Sequence, residues 1–214
     1  MTMLAQTHSA ALGRRANKSR TSRSRGFFAS AKTGARVRCR SHRDRLFCIW
    51  AETEPAVASY GPGAEALAIG PRGKRWLPDF EFIRSGERVL VQLSRADASI
   101  SPELSERIEA AKQGGCEFLL LEERLLAQEP QLANRKLLLR ARGHTPDPAD
   151  RAMLLGAVIG GERNLGELCA LLTSGRPRDD VFALCLEGAL AVLDLDWPIS
   201  ALSMLACGRG GRHE

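Results

Sequence analysis

The residues with most to offer chemistry lie in one short stretch, Arg75-Trp76-Leu77-Pro78-Asp79-Phe80-Glu81-Phe82, followed by Ser85-Gly86 and then Arg88-Val89-Leu90-Val91-Gln92-Leu93-Ser94. Ser85-Gly86 reads as a two-residue hairpin loop. Opposite residues then pair Phe80 with Val91 and Phe82 with Val89 on one face. Asp79 and Gln92 fall together on the other, about 5 Å apart at Cβ. A carboxylate and an amide oxygen at that separation both reach one hard cation, because Mg²⁺ takes one or two carboxylates, a few other oxygens and several waters. Pro78-Asp79 is also ordinary turn chemistry at the start of a strand. Which reading holds depends on the register of the hairpin.

The elements that must position this hairpin follow from turn signals and apolar spacing. Ser41 caps a helix carrying Leu46, Phe47, Ile49 and Trp50, which ends before Glu54-Pro55. Residues 57–93 break at Gly61-Pro62-Gly63, Gly70-Pro71-Arg72-Gly73 and Ser85-Gly86, the pattern of a meander of three antiparallel strands. Residues 102–112 read as a helix capped by Ser101 and stopped by Gly114-Gly115; 116–123 form an apolar run and hence a buried strand; 131–142 form a closing helix. Helix, three strands, helix, strand, helix predicts an α/β fold with a mixed sheet flanked by helices. A linker at 143–148 leads to a small, mostly helical module. Its helical segments at 151–159, 164–172 and 179–187 precede ALAVLDLDWP, which alternates like a strand. That outline suits either a helix-turn-helix or winged-helix DNA reader or a helical cap on the first unit.

Charge is concentrated at one end. The chain has 214 residues and a net charge of +6, yet twelve of its 31 basic residues and only one acid, Asp44, fall in residues 1–50, so that segment carries +11 and the rest −5. Such a segment binds polyanions through counterion release, or serves as a solvated tail. Arg14, Arg15, Lys18, Arg20, Arg23, Arg25, Lys32, Arg36 and Arg38 are the candidate nucleic-acid contacts, with 1–32 read as a basic, disordered arm. No apolar run approaches the roughly 18 residues a membrane span needs, and the start lacks the apolar stretch of a signal peptide, so a soluble, cytoplasmic protein with no membrane partner is expected. The six cysteines and four histidines show no zinc-ligand spacing. Cys48, Cys116, Cys169 and Cys185 read as buried small hydrophobes, and Trp50, Trp76 and Trp197 as core or interface residues.

The hairpin resembles the nuclease core of the PD-(D/E)XK superfamily, whose mark is a Pro-Asp before one strand and an acid-x-Lys on the next. More narrowly, the chain is similar to the N-terminal domain of TnsA endonucleases, the subunits of heteromeric transposases that cut the 5′ strands at transposon ends. TSRSRGFFASAKTGARVRCRS, SHRDRLFCIWAETEP, EPAVASYGP, GPRGKRWLPDFEF and RVLVQLS stand in the order of that family's phrases. The resemblance covers about residues 20–142, with a weaker echo at 151–206 in GELCALL and GALAVLDLDWPIS. It implies a restriction-endonuclease-like domain at 33–142 followed by the small module at 149–207. It also implies DNA as the partner, phosphodiester hydrolysis with Mg²⁺ or Mn²⁺ as cofactor, and a DDE transposase and an AAA+ regulator as further partners.

Carried over by position, Asp79 matches the metal-binding aspartate, Gln92 stands where most members have Glu, and Asp44 falls near the acid of the first helix as an additional ligand or orienter. Arg40 occupies a place where another acid is common, and Ser94 stands where the motif lysine belongs. Loss of such a preorganised electrostatic contact costs about 10²- to 10³-fold in rate. Lys112, Lys74 and Arg95 are the candidates to replace that charge. Without a replacement, the fold implies a DNA-binding or partner-binding adaptor that has lost its cutting.

Overall fold

Ser85 and Gly86 both adopt left-handed backbone (φ 53° and 82°), as a type I′ turn requires at its two central positions. That turn closes the central hairpin in the computed structural model, which describes residues 26–70, 73–95 and 101–208. The chain runs β1 (Gly26–Ala29), β2 (Arg36–Cys39), α1 (His42–Thr53), β3 (Val57–Pro62), β4 (Leu67–Ile69), β5 (Lys74–Trp76), β6 (Phe80–Arg84), β7 (Glu87–Ser94), α2 (Pro102–Gln113), β8 (Glu117–Glu122), α3 (Glu123–Leu126) and α4 (Gln131–Leu138). A 3-10 turn (Leu139–Ala141) leads to α5 (Pro148–Ile159), β9 (Arg163–Asn164), α6 (Leu165–Ala170), α7 (Pro177–Leu186), β10 (Leu190–Val192) and β11 (Met204–Cys207).

The central sheet has the order β3-β6-β7-β8; β3, β6 and β7 are antiparallel, and β8 joins parallel to β7 after the α2 crossover. The fold is thus α/β with a mixed sheet flanked by helices, and a helical region follows. On one face Phe80, Phe82, Val89, Val91 and Leu93 bury against Leu46 and Phe47 of α1 and Phe28 and Val37 of the β1–β2 hairpin. The Phe47 and Phe80 rings lie 4.3 Å apart. Each such side chain contributes about 1.5–3 kcal/mol of burial. On the other face Leu90 packs with Ile69, Trp76, Ala110 and Ala111 from β4–β5 and α2.

The folded chain departs from the expected pattern at several places. Residues 26–32 are not part of an arm: alternation sends Phe28, Val37 and Cys39 inward, which pins β1–β2 to the core. The meander contains five strands rather than three, because the Gly70 turn folds β4 onto β5 as a separate pair. The apolar run at 117–122 is half-buried rather than buried, since β8 is the edge of the sheet. Cys48 and Cys185 are buried as expected, whereas Cys116 and Cys169 are only half-buried, and Trp197, 72% exposed, is not a core residue.

The second unit has the order helix, strand, helix, helix, strand, strand, with β10-β11-β9 as its sheet, which is the order of a winged helix. Its α7, where a recognition helix would stand, is buried from Asp180 to Cys185, packed on α1, α4 and the 3-10 turn. The two units are bolted together by Asn134 of α4, whose amide donates to Leu195 O and Trp197 O and accepts from Ile199 N. That capture pulls 194–198 out of the strand expected there. Among the described residues, no helix is long and apolar enough to cross a membrane.

Candidate functional site

Pro78 has no N–H to give a ladder, and β6 begins only at Phe80. The predicted Phe80–Val91 and Phe82–Val89 pairs form, but the ladder stops short of an Asp79–Gln92 pair. Asp79 lies at a bend instead, and its backbone is held from both sides. Its N–H donates to Val91 O (2.9 Å), and its carbonyl accepts from Gly63 N (3.5 Å) at the end of β3. Glycine is needed there, because a Cβ on residue 63 would stand 2.4 Å from Pro78 O. The Asp79 carboxylate folds along β7, where Oδ2 accepts from Leu93 N (2.9 Å).

The other oxygen, Oδ1, faces Arg40 Nη2 at 3.7 Å. Arg40 is in turn fixed by Asp44, whose Oδ2 accepts from Arg40 N (2.7 Å) and lies 3.5 Å from Arg40 Nε. Asp44 Oδ1 accepts from the Ser41 hydroxyl (2.5 Å), while Ser41 Oγ accepts from Asp44 N (3.2 Å). Ser41 is thus the N-cap of α1, and the Asp44 carboxylate reaches back past it to the Arg40 N–H. Asp44 is 5% exposed and both of its oxygens accept hydrogen bonds, an arrangement that orients Arg40. The result is a chain Asp44–Arg40–Asp79 in which a guanidinium stands in front of the aspartate. An exposed pair of this kind is worth about 0–1 kcal/mol, which leaves Arg40 displaceable.

Gln92 opens onto a different wall. It lines a cleft of about 270 Å³ at the C-terminal end of β7 together with Arg43, Ser94, Arg95, Ser101 and Arg107. Gln92 Oε1 is buried without a hydrogen-bond partner among the described residues, and so is Arg107 Nε. Arg43 reaches the same end, donating from Nη1 to Leu93 O (3.1 Å) while its Nε lies 3.5 Å from Glu123. Lys74 pairs with Glu103 at 2.6 Å. Lys112 sits in the last turn of α2, roughly 16 Å along the axis from the Ser101 cap. Of the three cations foreseen, only Arg95 borders the cleft; Arg43 and Arg107 are additions that no spacing in the sequence announces.

Among the described residues, no three His, Cys, Asp or Glu side chains gather as a metal-binding group. Asp79 Oδ1 and Gln92 Oε1 are the two oxygens the resemblance assigns to a hard cation, but Asp79 does not border the cleft that Gln92 lines, so the two do not form one shell as they stand.

Of the predicted nucleic-acid contacts, Arg14, Arg15, Lys18, Arg20, Arg23 and Arg25 lie outside the described residues. Lys32 is turned inward: its Nζ donates to Ala51 O (3.0 Å), Glu54 O (2.5 Å) and Val57 O (2.7 Å), so it caps the end of α1 rather than meeting a polyanion. Burial pushes its ammonium down to about 8, against the pull of Glu52 and Glu54. Arg36 and Arg38 alternate with buried neighbours and are exposed. No protein-family model and no curated protein matches this chain.

Proposed function

We propose that the chain is a TnsA-like, nuclease-fold protein of a transposition system that binds DNA and, alone, does not cut it, because Arg40 holds the position in front of Asp79. The observation that carries this reading is the Asp44–Arg40–Asp79 chain. A divalent cation, Mg²⁺ or Mn²⁺, would supply an activated water and charge neutralisation at a phosphodiester; Asp79 and Gln92 are its ligands by resemblance, and to share it the Gln92 side chain would have to turn from its own cleft toward Asp79. In the chain's own terms, Asp79 accepts charge, Leu93 N orients it, and Arg40 neutralises it. Arg43 and Arg95, near Ser94, bring positive charge to the end of β7 where the resemblance expects a lysine. A DDE transposase and an AAA+ regulator are the partners this reading implies, and docking of one of them is the event suited to drawing Arg40 away.

One observation favours a second reading, an active Mg²⁺-dependent endonuclease: the orphaned oxygen of Gln92 is a ready ligand. Nicking of supercoiled DNA in Mg²⁺ separates the two. Silent wild type, with nicking gained in Arg40→Glu/Ser94→Lys and lost again on adding Asp79→Ala, is expected. Nicking by wild type alone that vanishes in Asp79→Ala establishes the active enzyme instead.

A further inference from the structure

The β1–β2 hairpin turns an aromatic ring and free cations to the same side. Phe27 is 61% exposed, although its neighbour Phe28 is buried. It stands directly across the ladder from Arg38, and Arg36 follows on the same outward face. Neither Arg36 nor Arg38 makes an ion pair with a described residue, unlike Arg40, Arg43, Arg84, Arg88 and Arg135. A shallow groove of about 350 Å³ lies against Phe27, Arg38 and Arg40, and Arg40 leads from it to Asp79.

We infer that this face is a stacking platform for an unpaired nucleotide, so that the nucleic acid is single-stranded or locally opened where it meets the hairpin. The inference rests on the DNA-binding reading above and sharpens its substrate. Unpaired arginines at every second residue of a strand, about 6.6 Å apart, complement a polyanion. A lone exposed ring adds what a duplex cannot use, because paired bases hide their faces in the stack, whereas an unpaired base offers a π-face to an aromatic side chain. Phe27 takes the base, and Arg36 and Arg38 take the phosphates. Arg40 carries the backbone on to Asp79.

The test is fluorescence anisotropy of the full chain, without divalent metal, on a labelled dT strand of about 20 nucleotides, its dA·dT duplex, and the same strand with central abasic sites. Phe27→Ala is expected to weaken single-strand binding by about 5- to 150-fold and duplex binding by less than about two-fold. Phe27→Trp is expected to retain the single-strand affinity, and the abasic strand to bind wild type no better than the intact strand binds Phe27→Ala. Equal binding of the single strand by wild type and Phe27→Ala overturns the inference, as does equal weakening on strand and duplex. So does full displacement of the strand by phosphatidylserine–phosphatidylcholine vesicles, which would assign the face to a membrane. If Arg36→Ser/Arg38→Ser weakens binding while Phe27→Ala does not, DNA binding stands and stacking falls. If no variant or wild type binds either nucleic acid, both readings fall together.

Discussion

Two regions of this chain carry sequence signals for DNA, and the structure treats them in opposite ways. Within the basic N-terminal stretch, residues 26–39 fold into a hairpin that leaves Arg36 and Arg38 exposed beside Phe27. The C-terminal module has the element order of a winged helix, yet α7 is buried from Asp180 to Cys185, and its first turn carries Asp179 and Asp180. Asp180 is tied to His144 at 2.6 Å and to Ser174, which anchors the first turn of that helix. An order of helices and strands therefore does not make a reader. A helix packed from Asp180 to Cys185 has little face left to read with, whereas a short hairpin whose guanidiniums make no ion pair with a described residue has more to offer a phosphate.

The comparison breaks most visibly in stability. Phe182 of α7 is 1% exposed, so Phe182→Ala should cost about 3–5 kcal/mol in urea unfolding while the DNA affinity of the protein that stays folded is unchanged. A large affinity loss in that variant would return α7 to the role of reader. At the other region, Gly63→Ala should cost about 1–3 kcal/mol by overpacking against Pro78; a neutral result would mean the close approach of β3 to Asp79 is not needed. In binding, Arg36→Ser/Arg38→Ser should shrink the slope of log affinity against log salt by about 1.8 on duplex DNA. The matching change on the module, Arg176→Ser/Arg178→Ser, should leave the slope unaltered. The smallest effect concerns Lys32, the cation that faces inward. The unfolded chain keeps this proton to about pH 10.4, whereas the folded chain loses it near pH 8. Stability should therefore rise with pH across that window, and Lys32→Met should flatten the rise in unfolding measured between pH 8 and 10.

What the sequence made legible was local. The Ser85-Gly86 turn, the Ser41 and Ser101 caps and the Gly114 stop act over a few residues, and the register and helix bounds they imply are observed. What it hid is set by contacts distant along the chain. Alternating Arg and apolar residues at 36–39 look like a charged tail until Phe28 and Val37 find the core formed by α1 and β7. Arg43 meets Leu93 O across fifty positions, and Asn134 meets Leu195, Trp197 and Ile199 across more than sixty. Asp79 was found by its type, but its bend and its guanidinium partner come from Gly63, Leu93 and Arg40, which meet only in the folded protein. The inward face of α7 was equally invisible, since an apolar helix shows that it is buried without showing what covers it.

Hydrogen exchange of the full chain with and without DNA tests the central claim most directly, because it reads both regions at once. Slowed exchange is predicted across β1, β2 and the first turn of α1 when DNA is added, with no change across α6, α7 and the β10–β11 loop. Protection confined to α7 and the β10–β11 loop, with the hairpin unaffected, would contradict the account.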